Sequence, residues 1–405
     1  MLIETVTVAG LLLAAEAGLA GLVLWLKRDC PWLITRADLK PKIDRDGLAR
    51  FVAHGWDAEL GWVRKPNTEN TEIGKGGTNT HFRIDETGAR ADPGYPPSPL
   101  SAIALGDSYT FCRQVNDDET WPHFLSRALS GRVRNIGVGN YGIDQALLRL
   151  EREFYDTPAP IVIMGVVPET ICRIQSVWKH FSEYGNVFAF KPRFRLTSAR
   201  TLELLPNPIK APDDFLNIPA LLPGLQCDDG FYLRKFARDL LGVPYLYRLL
   251  RSWRRNLPLV MAALADRIGS GGNMAFTRVM RHNIRMSADL YSDPESRLLL
   301  EAIVRRFSEL CRQHHARPIL VFTPQLLDLE LLRSGEHFYA DFLERVANEV
   351  EVLDMAPFLI DQRSDPEMYI EDNFGGHLSK RGNQLVADQL ARLIEKAPPP
   401  ARTAQ

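Results

Sequence analysis

The sequence predicts an α/β fold built on a parallel sheet. Short apolar runs of strand length recur from Leu100 onward. Between them lie helix-length segments whose apolar residues recur every three or four positions. The run Ile161–Val167 has no polar residue, which indicates a strand that is buried on both faces. Strands and helices that alternate in this way predict βαβ units with parallel strands.

The first element is an apolar segment, Val6–Leu26, of 21 residues with a single charge at Glu16. Its length matches the roughly 30 Å of a bilayer core. Lys27 and Arg28 follow it and no basic region precedes it, so a membrane anchor is favoured over a cleaved signal peptide. A core helix is the alternative, because Glu16 is costly in lipid without a partner. The positive-inside rule places the main domain in the cytoplasm.

Composition and pattern divide the chain into six segments. The alternation of strands and helices stops after the third strand and resumes near Ser292, which indicates an insertion. The predicted segments are a membrane anchor at 1–28, an irregular turn-rich module at 29–99, the first part of the α/β core at 100–177, an inserted cap at 178–290, the second part of the core at 291–396 and a disordered tail at 397–405.

Within the core, the first strand stops at Gly106 and a second strand lies near Val133. A capping box, Ser292–Glu295, begins a long helix that ends near His314. Two further strands and a last helix beginning near Ser379 complete the pattern. In the cap, the basic and apolar segment Arg248–Arg255 is either a solvated helix face or a contact with anionic lipid headgroups.

The charge and cysteine content exclude some classes of protein. The net charge is -1, which disfavours a protein that coats nucleic acid, and we expect no nucleic-acid partner. The five cysteines are scattered and form no CxxC pair, which predicts buried free thiols rather than disulfides or a zinc site. No metal or organic cofactor is implied. The oligomeric state is not predicted.

Ser108 is the first residue with a chemical signature. It follows the strand and the turn Gly106-Asp107, so it lies just beyond the carboxyl end of a parallel strand. Ligands bind at this edge of open α/β sheets, and free backbone N–H groups there can hold an oxyanion. The same Gly-Asp-Ser sequence also occurs in ordinary turns.

His377 is the second such residue. It follows Gly375 and Gly376 directly before the last helix, and the two glycines let the backbone bend toward another loop. A serine hydroxyl needs a base to accept its proton, and histidine suits that role near neutral pH. A surface histidine at a helix start is the alternative.

Four blocks in order resemble the SGNH (GDSL-type) hydrolases. They are GDSYTF at Ser108, VNDDETWPHFL, NIGVGNYGIDQALLRLE and HLSKRGNQLVADQL at His377. The two middle blocks look like those of bacterial polysaccharide-linked members that act as O-acyl esterases or acyltransferases. The resemblance covers roughly residues 100–174 and 354–394. It implies a three-layer α/β/α SGNH-hydrolase-like domain and a Ser-His-Asp site.

The resemblance also implies roles for residues. Ser108 would be the nucleophile, His377 its base and Asp372 the acid, although Asp372 lies five residues before His377 and the usual position is Phe374. Glu371 or no acid at all are alternatives. The oxyanion donors would be the N–H of Ser108 and a group at Gly139 or Asn140. GVVPETICR lacks the Asn that the family's third block carries.

Glu169 and Arg173 are spaced to form an ion pair that holds the site loop, and direct substrate contact is the alternative. Cys112 stands where relatives often have glycine and is expected to be a packing residue.

The leading hypothesis is a serine-dependent O-acyl, most simply O-acetyl, esterase or acyltransferase. Its partner would be an acylated carbohydrate or lipid, and its membrane contact the N-terminal helix. A non-catalytic scaffold that retains the fold is an alternative of another class, and a large Ser108–His377 separation would favour it. A lipid esterase or thioesterase is a third hypothesis, which a deep apolar tunnel at the cap would favour.

Overall fold

The computed structural model describes residues 2–73, 79–269, 272–360, 366–370 and 376–396. The chain forms two compact units, each discontinuous in sequence. The sheet unit comprises Ala53–Gln175, Pro192–Pro206 and Met286–Gln405, and the helical unit comprises Met1–Val52, Ser176–Lys191 and Asn207–Arg285. The six predicted segments have other boundaries and remain a prediction.

The sheet unit is built on a five-stranded sheet in which every neighbouring pair is parallel. This confirms the predicted α/β fold with a parallel sheet. The strands lie in the order β5-β4-β3-β1-β2. Their bounds are β1 Leu100–Gly106, β2 Arg132–Asn135, β3 Ile161–Val166, β4 Arg317–Phe322 and β5 Glu351–Asp354.

The central strand β3 is entirely buried, which explains its lack of alternation. Helices cover the sheet in two groups that contact the strands separately. The chain moves from β1 to β2 in one direction across the sheet and from β2 to β3, β4 and β5 in the other. Right-handed crossovers therefore put the helix between β1 and β2 on one face and the helices after β2, β3 and β4 on the other. The first group is Trp121–Leu129 and Lys380–Lys396, and the second is Ile143–Glu153, Pro294–Gln313 and Ala340–Val346.

The strand order reverses between β1 and β3, since β2 lies on one side of β1 and all later strands lie on the other. In open α/β sheets such a reversal opens a crevice beyond the carboxyl ends of the two strands, and ligands bind there. Ser108 follows β1 and Val167 follows β3, so both lie at this crevice.

Short elements complete the sheet unit. The predicted capping box is displaced by one residue. Asp293, not Ser292, caps the helix Pro294–Gln313, because its carboxylate accepts the Ser296 N–H at 3.1 Å. The hairpins are Trp56–Asp57 with Gly61–Trp62, Thr68–Ile73 with Asn79–Ile84, Arg193–Leu196 with Leu202–Leu205, and Tyr369–Ile370 with His377–Leu378. The short helices are Ser108–Phe111, Asp117–Glu119, Thr170–Arg173, Asp328–Arg333, Ala356–Ile360 and Pro366–Met368.

The helical unit packs around an apolar cluster that joins Val23 and Leu26 to Leu241, Leu259 and Val260. Its helices and turns are Leu2–Leu26, Arg36–Leu39, Arg45–His54, Lys179–Ser182, Pro212–Asn217, Ile218–Asp228, Tyr232–Phe236, Ala237–Asp239, Tyr245–Arg251, Trp253–Ile268 and the first part of Met274–Ser292.

The first helix is long and apolar enough over Ile3–Leu26 to cross a membrane. Residues 3–15 are exposed, whereas Val23 and Leu26 are buried in the apolar cluster. Glu16 has the partner that its charge requires: its carboxylate accepts the backbone N–H groups of Tyr245 and Leu246, the latter at 2.9 Å.

Candidate active site

Strand β1 ends at Gly106 in a turn that requires glycine. The φ of Gly106 is +144°, and a Cβ at this position would lie 1.8 Å from the carbonyl oxygen of Gly165 on β3. The Thr110 hydroxyl donates to that same carbonyl at 2.8 Å. The chain therefore turns directly into the helix Ser108–Phe111, and Ser108 stands at the carboxyl end of the strand.

Ser108 and His377 meet although 269 residues separate them. The Oγ atom of Ser108 lies 2.9 Å from Nε2 of His377. Both residues are buried, with 8% of Ser108 and 4% of His377 exposed, so water competes little for this hydrogen bond. A neutral imidazole at this distance can accept the serine proton as a general base.

His377 is positioned by backbone pairing and by Tyr109. The strand His377–Leu378 pairs antiparallel with Tyr369–Ile370. The Tyr109 hydroxyl donates to the Gly376 carbonyl at 2.5 Å, and its ring centroid lies 5.0 Å from that of the imidazole. The residue next to Ser108 in sequence thus also orients His377.

The predicted triad acid is not among these contacts. Asp372 lies outside the described residues, as do Glu371 and Phe374. The identity of the acid therefore stays a prediction.

Asp107 anchors the turn that contains Ser108 to the loop after β3. Its carboxylate is fully buried and accepts from the Tyr109 N–H at 2.8 Å and from the Val167 N–H at 3.1 Å. It also accepts from Arg173 at 3.2 Å, and Arg173 in turn donates to Glu169 at 2.6 Å. The Glu169–Arg173 contact is thus an ion pair, in which the guanidinium also holds Asp107.

The loop that contains Gly139 and Asn140 packs beside the turn that contains Ser108, since the Val138 N–H donates to the Gly106 carbonyl at 3.0 Å. Within the described residues, the backbone N–H groups of Ser108, Gly139 and Asn140 have no acceptor. In the same part of the chain, the Asn140 side-chain amide also lacks a partner. Buried or half-buried donors are usually bonded, so a set of open donors beside a serine is available for an oxyanion.

The segment GVVPETICR at the end of β3, which lacks the family's asparagine, also offers few backbone donors. The backbone N–H that follows the β3 strand at Val167 is occupied by Asp107, and Pro168 has no N–H at all. The strand β3 loop therefore supplies no open donor at Val167 or Pro168. Asn140 is the nearby side-chain amide that lies on the Gly139 loop, and its φ of +66° places it in the left-handed region.

Arg90 is a site residue that sequence reasoning missed. Its buried guanidinium donates to the carbonyls of Phe111 at 2.5 Å, Cys112 at 2.8 Å and Val115 at 2.5 Å, and to the Asp117 carboxylate at 3.0 Å. It thereby binds the carboxyl end of the helix Ser108–Phe111. An arginine in a turn-rich segment carries no local signal of this role, because its partners are more than 20 residues away.

Cys112 is not a second nucleophile. It is buried, and burial raises the pKa of its thiol to about 12, so the thiol stays protonated at neutral pH. Across the described ranges, no three His, Cys, Asp or Glu side chains come together as a metal site.

A buried carboxyl begins the short helix after β4. Asp328 is fully buried; its Oδ2 accepts the Gln325 N–H at 2.8 Å, while Oδ1 has no partner among the described residues. Burial raises the pKa of Asp328 to about 7, with Glu169 raising it further and Arg173 lowering it.

Comparisons with known proteins give matches among solved structures. A lipolytic protein of the G-D-S-L family from Desulfitobacterium hafniense DCB-2 is 14% identical, with 73% of this chain and 99% of that chain covered and a TM-score of 0.32. The psychrotrophic esterase EstA of Pseudoalteromonas sp. is 12% identical, covering 73% and 97%, with a TM-score of 0.31. The lipase/acylhydrolase from Enterococcus faecalis is also 12% identical, covering 75% and 100%, with a TM-score of 0.31.

The first of these structures is described as G-D-S-L, the family that the four sequence blocks resemble. No protein-family profile matches the chain, and no curated protein matches it. The overall similarities are low, and the geometry of the site is the feature that bears on function.

Proposed function

We propose that the protein is a serine-dependent ester hydrolase or acyltransferase that acts through an acyl-enzyme. One observation carries this proposal: the Ser108 hydroxyl lies 2.9 Å from His377 Nε2, at the carboxyl end of β1, where the strand order reverses. A scaffold that had lost catalysis would have no need to hold this pair in hydrogen-bond contact.

In the first step, His377 accepts the Ser108 proton as Oγ attacks the ester carbonyl carbon. The carbonyl oxygen becomes an oxyanion, which the N–H groups of Ser108 and Gly139 and the Asn140 amide stabilise. The tetrahedral intermediate collapses, the C–O bond to the alcohol breaks, and His377 returns its proton to the leaving alkoxide. The acyl group remains on Ser108.

In the second step, water or a sugar hydroxyl gives its proton to His377 and attacks the acyl carbon. The oxyanion again uses the same donors, and Ser108 leaves with the proton that His377 returns. Water yields a free acid and hydroxyl transfer yields a new ester, so the same residues serve a hydrolase and a transferase.

The substrate class that we propose is an O-acyl, most simply O-acetyl, ester on a glycan or glycolipid. The support is the likeness of the VNDDETWPHFL and NIGVGNYGIDQALLRLE blocks to polysaccharide-linked members of the family. Rates on p-nitrophenyl acetate, butyrate and palmitate test this. A preference for palmitate would favour a lipid esterase instead.

The test of the proposed mechanism is labelling of the full chain, in a neutral detergent, with a fluorophosphonate probe. We expect labelling of the wild type and none of Ser108→Ala, because the probe bonds only to an activated serine. His377→Ala should also lose labelling, since the base is gone.

Matched controls are Ser334→Ala and His54→Ala, which change exposed residues and should label like the wild type. A folded wild type that neither labels nor hydrolyses p-nitrophenyl acetate would contradict the proposal. Labelling that persists in Ser108→Ala would assign the nucleophile to another residue.

A further inference from the structure

The helical unit contains a basic cavity that the esterase mechanism does not use. Its volume is about 210 Å³, several times the roughly 30 Å³ that one water molecule occupies. It lies between the helices Trp253–Ile268 and Met274–Ser292. Its lining residues are Arg254, Arg255, Pro258, Leu259, Arg278, Val279, Arg281 and His282.

The charge of the cavity is unbalanced. Arg254 and Arg278 are exposed and have no carboxylate partner within the described ranges. Arg255 is a fixed wall, since it pairs with Asp239 at 3.2 Å and donates to the Trp32 carbonyl at 2.9 Å. Guanidinium groups arranged around a cavity favour a phosphate, whose oxygens accept two parallel N–H bonds from one arginine.

His282 adds a neutral polar group to the same wall. Burial, followed by the charge of Lys235, lowers the pKa of His282 to about 4. The imidazole is therefore uncharged at neutral pH and can donate one N–H bond. Arg254 and Arg278 can then approach an anion from the exposed side of the cavity.

An exposed apolar stripe runs along the same helix. Trp253, Leu257 and Met261 are spaced four residues apart and are 53%, 43% and 57% exposed, next to Arg254 and Pro258 in sequence. A helix that presents bulky apolar side chains on one face and arginines on the adjacent face is typical of contact with a membrane interface.

The apolar helix Leu2–Leu26 lies beside another helix with exposed apolar side chains. Glu16 accepts the Leu246 N–H at 2.9 Å, so the helix Tyr245–Arg251 begins beside the apolar helix roughly 15 Å before its end at Leu26. Tyr247 and Leu250 on that helix are 61% and 67% exposed. If Ile3–Leu26 crosses a bilayer, these side chains reach into the same leaflet.

We propose that the basic cavity binds the phosphate-bearing headgroup of an anionic membrane phospholipid, and that the stripe Trp253, Leu257 and Met261 lies among its acyl chains. The helical unit is then a platform embedded in one leaflet as well as an anchor. This holds the chain at a defined depth and is independent of the chemistry at Ser108.

Isothermal titration calorimetry of the full chain in neutral detergent tests the cavity. Short-chain phosphatidylglycerol should bind. The double variant Arg254→Ala/Arg278→Ala should raise Kd by about tenfold or more, because two charged hydrogen-bond donors are lost. Arg254→Lys/Arg278→Lys retains the charge and should raise Kd less. It also serves as the test if the alanine variant does not fold. The control Arg127→Ala/Arg392→Ala removes two exposed arginines from the sheet unit and should leave Kd unchanged.

Three results would overturn the cavity proposal. Inorganic phosphate that binds as tightly as phosphatidylglycerol would indicate a site for a free anion. Phosphatidylcholine that binds equally well would show that the arginines do not select charge. An equal loss of affinity in the control variant would show that binding depends on the net charge of the protein and not on the cavity.

Fluorescence of a polarity-sensitive label tests the stripe. In a Cys227→Ser background, which removes the exposed cysteine, Leu257→Cys and the matched Leu204→Cys receive the label; the two leucines are 43% and 44% exposed. In vesicles with brominated phosphatidylglycerol, we expect a blue shift and quenching at position 257 only. Aqueous spectra at both positions would overturn the proposal, as would a blue shift at position 257 that bromine does not quench.

Discussion

At the scale of single residues, the candidate site is defined by which polar groups are already bonded. Asp107, Arg173 and Glu169 satisfy one another and the loop after β3. The open donors that remain are on Ser108, Gly139 and Asn140, within the described residues. Donors that stay open beside Ser108, while the charged groups behind it are bonded, are the arrangement expected for stabilising charge that forms only in a transition state.

Asn140 tests this arrangement directly. Asn140→Gly removes the side-chain amide without backbone strain, because the φ of +66° suits glycine. We expect kcat on p-nitrophenyl acetate to fall by about 10²–10³, the usual effect of losing one oxyanion donor. Asn67→Gly, at a φ of +57° elsewhere in the sheet unit, is the control and should leave kcat unchanged. A fall of less than about threefold would show that the Asn140 side chain does not stabilise the oxyanion and that only backbone N–H groups do.

Asp328 predicts a dependence of stability on pH. Its folded-state pKa of about 7 lies above the ordinary value of 3.8 for an aspartate, so its contribution to stability is fully present below pH 4 and is lost as pH rises through 7. Asp328→Asn should therefore stabilise the protein more at pH 8 than at pH 5, by up to about 3 kcal/mol. Thermal denaturation at both pH values measures this. The exposed Asp341→Asn should show no such difference, and an equal effect of Asp328→Asn at both pH values would contradict the prediction.

At the scale of elements, the nucleophile helix Ser108–Phe111 is too short to be stable by itself. It is held at both ends by buried charged side chains. Asp107 accepts the Tyr109 N–H at its start, and Arg90 binds the carbonyls of Phe111 and Cys112 at its end. The position of Ser108 therefore depends on residues from another segment of the chain.

Arg90→Lys should loosen this helix. The ammonium keeps the charge but cannot reach three carbonyls and Asp117 at once, so buried acceptors lose their donors. We expect a loss of about 2–4 kcal/mol, or a fall in Tm of roughly 5–15 °C, and slower fluorophosphonate labelling. Arg83→Lys is the control, since Arg83 pairs with the same Asp117 but has a side chain that is 62% exposed. Equal shifts in Tm for both variants would contradict the proposed role of Arg90 in holding the end of this helix.

The elements also show what the sequence could predict. Ser108 and His377 were predictable because strand ends, glycines and helix starts are local signals. The cap at Asp293 was missed by one residue, since Ser292 and Asp293 are both good caps and the choice depends on geometry. Arg90 and the strand order were not predictable, because both depend on pairing between distant segments.

At the scale of the whole molecule, the apolar N-terminal helix divides into two halves. Residues 3–15 are exposed, so their surface is available to a bilayer. Residues 16–26 are different, since Glu16 binds the helix Tyr245–Arg251, and Val23 and Leu26 lie in the core of the helical unit. A segment that composition presents as a uniform anchor thus also completes a core.

Two truncations of the full chain separate these roles. Without residues 2–14, the helical unit retains Glu16, Val23 and Leu26, so Tm in detergent should stay within a few degrees while membrane retention falls. Without residues 2–28, the core loses Val23 and Leu26 and the Tyr245 N–H loses its acceptor. Two buried aliphatic side chains contribute about 1.5–3 kcal/mol each, so we expect a lower Tm or aggregation. Differential scanning fluorimetry and size-exclusion chromatography measure both. If the two truncations had the same Tm and the same elution volume, the helix would be an anchor alone, and the leaflet depth inferred from Glu16 would have no basis.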